Sequence, residues 1–158
     1  MFTDDDARFM QTAIEASAIA AQAGDMPFGA VLVSPEGKGL LVARNNQNTA
    51  ADCTGHAEMV LVREAARRLG PASLHGATVY ASGEPCAMCS GALFWARVRR
   101  VVYAASSQDI VAALGEPMLP IDSATVLAAA RPVVTVEGPL LGPQAVQVLR
   151  DFAGGAGK

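Results

Sequence analysis

The chain has 158 residues, of which 51% are hydrophobic and 17% charged, and its formal net charge is −3. This composition suits one globular domain with an ample core and excludes global disorder. The acidic balance argues against a partner held mainly through phosphate contacts, such as a nucleic acid. No apolar run reaches the roughly 18 residues that cross a bilayer, so we expect no membrane span.

Hydrophobic spacing, helix caps and turn residues predict alternating helices and strands. In chain order we expect a helix over 5–23, a hairpin of strands over 28–33 and 39–43, a helix over 56–69, a strand over 78–81, a helix over 86–96 and a strand over 100–105. The later pattern is weaker and predicts short helices near 108–114 and 123–130, a strand over 133–136 and a closing helix near 143–153. We assign residues 1–153 to one domain and 154–158 to a frayed tail.

The start of the chain and the cysteine count predict a cytoplasmic protein. The segment Met1–Asp6 is acidic, whereas a secretory signal would be basic. Three cysteines are an odd number, which suits metal or redox chemistry in a reducing compartment better than a disulfide framework.

Two short motifs, each at the start of a predicted helix, carry the chemistry of this sequence. The first contains His56 and Glu58, and the second, Pro85-Cys86-Ala87-Met88-Cys89, contains a cysteine pair. Cysteines three residues apart can lie on one helix face, and a helix N-terminus favours their thiolate form. We therefore predict a Zn²⁺ site with His56, Cys86 and Cys89 as ligands.

Three protein ligands leave one zinc position for water, which is typical of a catalytic site rather than a closed structural one. Glu58 need not bind the metal, and we predict that it takes a proton from the attacking water and delivers it to the substrate. His-x-Glu followed by Pro-Cys-x-x-Cys is the signature of zinc-dependent base deaminases.

Three other interpretations of these motifs remain open from the residues alone. The cysteine pair could be a thioredoxin-like redox motif, but that would leave His56 and Glu58 without a role. A closed structural zinc would need a fourth ligand, for which Cys53 and His75 are the candidates. The domain could also be a zinc-stabilised binding module without activity.

With these motifs the sequence resembles the cytidine-deaminase-like superfamily of zinc hydrolases. The resemblance covers roughly residues 8 to 109 and includes five segments in the expected order. They are Pro27-Phe28-Gly29-Ala30-Val31-Leu32-Val33, Asn45-Asn46, the His56–Glu58 motif, Glu84-Pro85-Cys86-Ala87-Met88-Cys89 and Phe94-Trp95-Ala96-Arg97. Phe28 and the Trp-Ala-Arg triplet are most similar to the guanine deaminase branch.

The resemblance implies a three-layer α/β/α sandwich with a five-stranded mixed sheet, one zinc per subunit, and a homodimer with exchanged C-terminal segments. It also implies that Asn45 hydrogen-bonds the base, because an amide both donates and accepts; a plain turn is the alternative role of Asn45. We predict further substrate contacts at Phe28, Ala57 and Trp95, the two aromatic rings by stacking. Core packing or a dimer contact is the alternative for Trp95.

The segment after residue 106 departs from the guanine deaminase pattern. Those enzymes carry a second acid in a Gly-Phe-Asp-Asp type segment, whereas this chain has Leu114-Gly115-Glu116-Pro117 in that region. We predict that Glu116 serves as this second catalytic acid, with Asp109 as a weaker stand-in.

We therefore expect a hydrolytic deaminase that converts guanine to xanthine and ammonia. Isocytosine, cytosine, an aminotriazine or a nucleoside such as guanosine are alternative substrates. A tRNA adenosine deaminase is a further alternative, and it would need a basic groove built from Arg63, Arg67, Arg97, Arg99 and Arg100.

Overall fold

A central sheet of five strands, flanked by helices, organises the chain in a computed structural model that describes residues 1–115 and 119–155. The strands are β1 (Gly29–Val33), β2 (Gly39–Arg44), β3 (Thr78–Gly83), β4 (Arg100–Ala105) and β5 (Thr135–Glu137). The helices are α1 (Asp4–Gln22), α2 (Ala57–Leu69), α3 (Ala87–Trp95), α4 (Ser107–Leu114), α5 (Ser123–Leu127) and α6 (Gly142–Gly155), with a 3₁₀ turn over Pro71–Leu74.

The strand order is β2-β1-β3-β4-β5. Strand β1 runs antiparallel to both β2 and β3, whereas β3, β4 and β5 are mutually parallel. The sheet is therefore mixed, and the predicted five-stranded mixed α/β fold is confirmed.

Alternate residues of each strand point to two separate cores, because side chains alternate across a strand. Ala30 and Leu32 face α2, α3 and α5, whereas Val31 and Val33 face α1, α4 and α6. The molecule thus has three layers, and the C-terminal helix packs on the core of its own chain through Ala145 and Leu149.

Helix α1 begins with a reciprocal cap and lies close against the sheet. The Thr3 hydroxyl accepts from the Asp6 N–H at 3.1 Å, and the Asp6 carboxylate accepts from the Thr3 N–H at 2.8 Å. A side chain at Gly29 would lie only 2.4 Å from the carbonyl oxygen of Ala13, so glycine permits this close approach.

The elements up to residue 105 match the sequence prediction to within about two residues, an ordinary margin for element boundaries. The largest differences lie further on. Helix α5 ends at Leu127 instead of residue 130. Beyond it the hydrogen bonds span three residues instead of four, as in the bond from Ala130 N–H to Leu127 O. Helix α6 extends through Gly155, although we expected Gly154 and Gly155 in the tail. Within residues 1–115 and 119–155, no helix has the length and apolarity to cross a membrane.

Candidate metal centre and active site

The candidate site lies where the parallel strands β3 and β4 end. Gly83 and Ala105 close the pairing of these strands, and the Glu84 N–H bonds to Ala105 O at 2.8 Å. The chain then turns into α3, with Cys86 as the N-cap residue, while His56 is the N-cap residue of the neighbouring helix α2. Both predicted motifs therefore meet at the carboxyl edge of the parallel strands, where α/β sheets commonly place ligand sites.

His56, Cys86 and Cys89 form a compact group of potential metal ligands. The Nδ1 atom of His56 lies 3.6 Å from the Sγ atom of each cysteine, and the three ligand atoms all lie within 4.8 Å of one another. Zn–S bonds of about 2.3 Å and a Zn–N bond of about 2.0–2.1 Å in a tetrahedron separate nitrogen from sulfur by about 3.6 Å. The three residues therefore fit a tetrahedral zinc site.

The proposed alternative fourth ligands do not join this group. Cys53 and His75 are both exposed, and among the described residues 1–115 and 119–155 no other His, Cys, Asp or Glu belongs to the group. The arrangement is that of an open site with three protein ligands.

The two cysteines differ in their affinity for a proton, which Cys89 holds and Cys86 loses more readily. A hydrogen bond from the Cys89 thiol, together with the His56 ring, lowers the pKa of Cys86 to about 4. The same hydrogen bond and burial raise the pKa of Cys89, and the Cys86 thiolate raises the pKa of His56. These contacts favour deprotonation of Cys86, and the thiolate is the form that binds a metal.

Glu58 is buried beside this group and lines the same cavity as His56 and Cys86. Burial raises the pKa of Glu58, and the negative charge of Cys86 acts in the same direction. A carboxyl group with a raised pKa can hold a proton near neutral pH and release it again, as a general acid–base catalyst must.

The cavity beside these residues has a volume of about 430 Å³ and mostly apolar walls. Its described lining residues are Met26, Phe28, Gln47, His56, Glu58, Gly83, Glu84, Cys86, Met88, Ile110, Leu114, Leu119 and Ile121. No described lining residue is Lys or Arg. Such a cavity suits a small, flat, uncharged ligand that is oriented by a few polar groups.

Phe28, a predicted substrate contact, lies in this wall against the end of β3. A side chain at Gly83 would approach the Phe28 ring to 2.7 Å and the Cδ1 atom of Ile110 to 3.0 Å. Glycine at position 83 therefore lets Phe28 and Ile110 occupy their places in the cavity wall.

Asn45 is not among the described residues that line this cavity, whereas Gln47 is. The side chain of Asn45 is almost fully buried and bonds to Gln47 through both of its polar atoms. These two hydrogen bonds agree with the turn role that we considered as the alternative, and the contact of Asn45 with the base stays a prediction.

Ala57 is the first residue of α2, between the cavity-lining residues His56 and Glu58, and its side chain is fully buried. Its contact with the substrate stays a prediction. Trp95 is 80% exposed at the far end of α3, where it lines a separate surface depression with Val62 and Pro71. Trp95 is separated from the metal ligands because it lies more than one helical turn beyond Cys89 on α3.

The two candidates for a second acid have different outcomes. Glu116 lies outside the described residues. The Asp109 carboxylate caps α4, since it accepts from the Ser106 N–H at 3.1 Å and from the Ser106 hydroxyl at 2.7 Å. Asp109 is not among the residues that line the cavity.

Glu84 is a buried carboxylate that the sequence analysis included in a motif but gave no role. It accepts four hydrogen bonds, at 2.8–3.1 Å, from the N–H and hydroxyl groups of Ser107 and Ser123. Leu119 and Ile121 were also missed, although large apolar residues in a loop segment are a signal of a binding surface. Leu119 is 70% exposed beside the cavity.

The arginines considered for a nucleic-acid groove are largely paired with acids. Arg63 contacts Asp52 at 3.2 Å, Arg67 contacts Glu64 at 2.7 Å, and Arg100 contacts Asp6 at 2.6 Å and also Glu137. These pairs reduce the positive charge that the surface offers to phosphates.

Comparison with known proteins identifies the family. The family described as the cytidine and deoxycytidylate deaminase zinc-binding region matches residues 3–105, more than half of the chain. The chain belongs to this family. It is a zinc-dependent hydrolytic deaminase, and the resemblance found in the sequence is confirmed.

Relatives with three different substrates are similar to the chain. A probable cytosine deaminase of Schizosaccharomyces pombe is 33% identical over 151 residues, covering 91% of this chain and 90% of that protein. A guanine deaminase of Bacillus subtilis is 45% identical over 83 residues, which are 52% of this chain and 53% of the relative. A tRNA-specific adenosine deaminase of Bacillus subtilis is 41% identical over 100 residues, covering 63% of this chain and 62% of the relative.

A solved structure extends the fold comparison to nearly the whole chain. The guanine deaminase from Nitrosomonas europaea superposes with a TM-score of 0.80, covering 98% of this chain and 86% of that one, at 22% identity. This likeness shows the common fold.

Proposed function

We propose that the chain hydrolyses the exocyclic amine of a small nucleobase, with guanine as the first candidate and xanthine and ammonia as the products. One observation carries the proposal: the ligand group of His56, Cys86 and Cys89 and the buried Glu58 carboxyl lie at one apolar cavity of about 430 Å³.

His56, Cys86 and Cys89 hold the metal in this proposal, in keeping with their fit to a tetrahedral site. When bound, zinc lowers the pKa of a water molecule towards about 7 and so supplies a hydroxide nucleophile at neutral pH. The geometry that supports these ligands is the 3.6 Å separation between Nδ1 of His56 and each cysteine sulfur.

Glu58 moves the protons. Its carboxylate takes a proton from the attacking water and gives it to a ring nitrogen. It then takes the second proton, from the hydroxyl group now on the carbon, and transfers it to the departing amine. The carbon exchanges its nitrogen for oxygen, and ammonia leaves. Burial of Glu58 supports this role, because it raises the pKa of the carboxyl and so lets it hold the proton between the two transfers.

Phe28 orients the ring from the cavity wall. Contact between an aromatic side chain and a flat base contributes about 0.5–1.5 kcal/mol beyond the burial of area. The apolar residues Ile110 and Leu114 line the same cavity and exclude water from the ring.

The cavity favours a free base over a polynucleotide. Its described lining contains no Lys or Arg, and three of the five arginines considered for a nucleic-acid groove are engaged by acids. The similarity to the Bacillus subtilis guanine deaminase over half of the chain supports guanine. The match to the Schizosaccharomyces pombe probable cytosine deaminase over most of both chains makes cytosine the second candidate.

Ammonia release by the zinc-loaded protein tests the proposal. Guanine, cytosine, isocytosine, adenine, guanosine, an aminotriazine and a tRNA anticodon stem-loop are compared at equal concentration. We expect turnover of guanine, with kcat/KM at least tenfold above that of adenine. Preferential turnover of the stem-loop would overturn the free-base proposal, and turnover of cytosine alone would replace guanine by the second candidate.

A further inference from the structure

Asp25 is a buried carboxylate that joins two segments of the chain beside the cavity. It is 3% exposed and lies just after α1, where its own N–H bonds to Ala20 O at 3.0 Å. Its Oδ1 atom accepts from the backbone N–H groups of Asn48 at 3.0 Å and Thr49 at 2.9 Å, and its Oδ2 atom accepts from the Thr49 hydroxyl at 2.8 Å. One side chain thus holds the middle of the 45–55 loop, which connects β2 to α2.

Both segments that Asp25 joins supply residues of the cavity wall. Met26 and Phe28 lie within three residues after Asp25 and line the cavity, and Gln47 lines it from the loop. The loop leads directly into the candidate metal ligand His56. Asp25 itself is not among the described residues that line the cavity, so its effect on a bound ligand passes through these neighbours.

The two halves of the loop are held by different side chains. Arg63 of α2 holds the second half, since its guanidinium bonds to the Asp52 carboxylate at 3.2 Å and to Thr54 O at 3.1 Å. The half that carries Gln47 is held by the three hydrogen bonds to Asp25. Loss of Asp25 therefore loosens the half of the loop that borders the cavity and leaves the half next to His56 in place.

The chemistry of the contact suits an anchor of the chain path. An ionised carboxylate forms stronger hydrogen bonds than a neutral acceptor, and it accepts with both oxygens. Two of the three donors are backbone N–H groups, at Asn48 and Thr49, so the contact fixes the main chain and not only a side-chain rotamer. If the carboxylate is removed, the loop must shift before these N–H groups reach another acceptor or water.

We propose, on the basis of the proposed nucleobase deaminase function, that Asp25 is a positioning residue for substrate binding, which holds the 45–55 loop in register with the wall that contains Phe28. A base then meets a cavity that is already formed. Without the anchor the loop must be ordered as the base binds, and the free energy of ordering is lost from the affinity. If the loop is in place only about a tenth of the time, the apparent dissociation constant rises about tenfold.

Steady-state kinetics of the zinc-loaded Asp25→Ala protein test the proposal. The alanine removes all three hydrogen bonds, and the substrate is the base that the unaltered enzyme turns over, guanine first and cytosine second. We expect KM to rise about tenfold, while kcat changes less than about threefold. Zinc content should stay at that of the unaltered protein, because Arg63 still holds the part of the loop next to His56.

Asp25→Asn is the conservative variant that should restore binding. Its amide oxygen still accepts from both backbone N–H groups, and its NH₂ group can donate to the Thr49 hydroxyl, which then acts as an acceptor. We expect KM in Asp25→Asn within about threefold of the unaltered enzyme.

Asp6→Ala is the matched control for a general loss of stability. Asp6 is also a buried carboxylate, 4% exposed, but its partners Tyr80 and Arg100 are not among the described residues that line the cavity. Asp6→Ala should lower the melting temperature at least as much as Asp25→Ala and leave KM unchanged.

A pair of variants at Thr49 tests the same contact if Asp25→Ala does not fold. Thr49→Val removes only the hydroxyl bond to Asp25, whereas Thr49→Ser keeps it. We expect KM to rise about threefold in Thr49→Val, the scale of a weak hydrogen bond, and to stay unchanged in Thr49→Ser. The same KM in both Thr49 variants would contradict the role of Asp25.

Two further results would overturn the inference: a KM in Asp25→Ala that equals that of the unaltered enzyme, or an equal rise of KM in Asp6→Ala. The first would show that the anchor does not act on the cavity, and the second would assign the effect to lost stability. If the unaltered enzyme releases ammonia from none of the bases, the proposed function fails and the inference fails with it. Turnover with a KM that does not depend on Asp25 removes the inference alone.

Discussion

Glu84 and Ser123 are joined by two hydrogen bonds, from the serine N–H at 3.1 Å and from its hydroxyl at 2.9 Å, both accepted by Oε1. The other oxygen, Oε2, accepts the equivalent pair from Ser107 at 2.8 and 2.9 Å. The carboxylate of Glu84 thus fixes the first residues of α4 and α5. Glu84 itself lies only two residues before Cys86. The cavity wall formed by Ile110, Leu119 and Ile121 is tied to the metal centre through this group.

Glu84→Gln should loosen that wall and leave the metal in place. Glutamine has one oxygen, so one serine N–H loses its acceptor and faces an NH₂ group. We expect KM to rise about tenfold with a smaller change in kcat, because each lost hydrogen bond is worth about 1 kcal/mol. Steady-state kinetics and zinc content measure the effect, with the exposed Glu36→Gln as control. Equal losses in kcat and zinc would contradict this positioning role.

Cys86→Ala and His56→Ala should each lose the metal. Removing one of three protein ligands weakens binding strongly, and metal binding contributes to the free energy of folding. After dialysis we expect zinc content well below one ion per chain and a lower melting temperature, measured by metal analysis and thermal denaturation. Cys53→Ser is the matched control, since Cys53 is exposed and outside the ligand group. Loss of zinc in the control would mean that Cys53 is a ligand.

Glu58→Gln should keep zinc and lose turnover. The amide fills the same buried space but cannot shuttle protons, and general acid–base catalysis typically contributes about 100- to 10,000-fold. We expect kcat to fall within that range at full zinc content. Glu64→Gln, on the same helix but in an exposed ion pair with Arg67, should retain normal activity. Retained turnover in a zinc-replete Glu58→Gln protein would refute the proposed mechanism.

Gly83→Ala should obstruct the cavity from its wall. The added methyl group would meet the Phe28 ring at 2.7 Å and Ile110 at 3.0 Å, so one of these side chains must shift. We expect a higher KM and a loss of about 1–3 kcal/mol in the free energy of unfolding. Gly91→Ala is the control, because nothing lies within 4 Å of a side chain there. An unchanged KM in Gly83→Ala would show that Phe28 does not set the cavity shape.

Asp6 should make the fold sensitive to acid. Its carboxylate bonds to Arg100 at 2.6 Å and accepts from the Tyr80 hydroxyl at 2.6 Å, and these contacts hold the pKa of Asp6 well below its usual range. Because the folded pKa is lowered, the stabilisation is complete above the unfolded pKa of about 4 and is lost as pH falls through the folded pKa.

Asp6→Asn should therefore cost about 3 kcal/mol at pH 7 and flatten the decline in stability below pH 4. Urea unfolding between pH 7 and pH 2.5 measures both effects, with the exposed neighbour Asp5→Asn as control. A decline below pH 4 as steep in Asp6→Asn as in the unaltered chain would assign the acid sensitivity to other groups.

The sequence predicted the ligand group and Glu58 because their signals are local. His56 and Glu58 lie two residues apart, and Cys86 and Cys89 lie three apart. Each pair begins a helix that the sequence marks, the first by Gly70-Pro71 after its end and the second by Pro85 before its start. Similar local signals gave the strand and helix order, and from these the layer architecture.

The residues that were missed depend on contacts between distant parts of the chain or on a single rotamer. Glu84 acts through serines 23 and 39 residues away. Gln47 lines the cavity and is bonded to Asn45, a side-chain contact that no periodicity reveals. Trp95 is exposed away from the cavity of this chain, and a short, apolar helix gives no indication of which of its faces meets the substrate.

The two ends of the segment from Ser107 to Ser123 are both held by one side chain, that of Glu84. Because Glu84 holds the first residues of both α4 and α5, wall residues such as Leu119 and Ile121 can change without releasing either end. The entropy of closing a loop grows only slowly with added residues. Substitutions in this segment, whether natural or engineered, can therefore alter which ring the enzyme accepts. The metal ligands and Glu58 need not change.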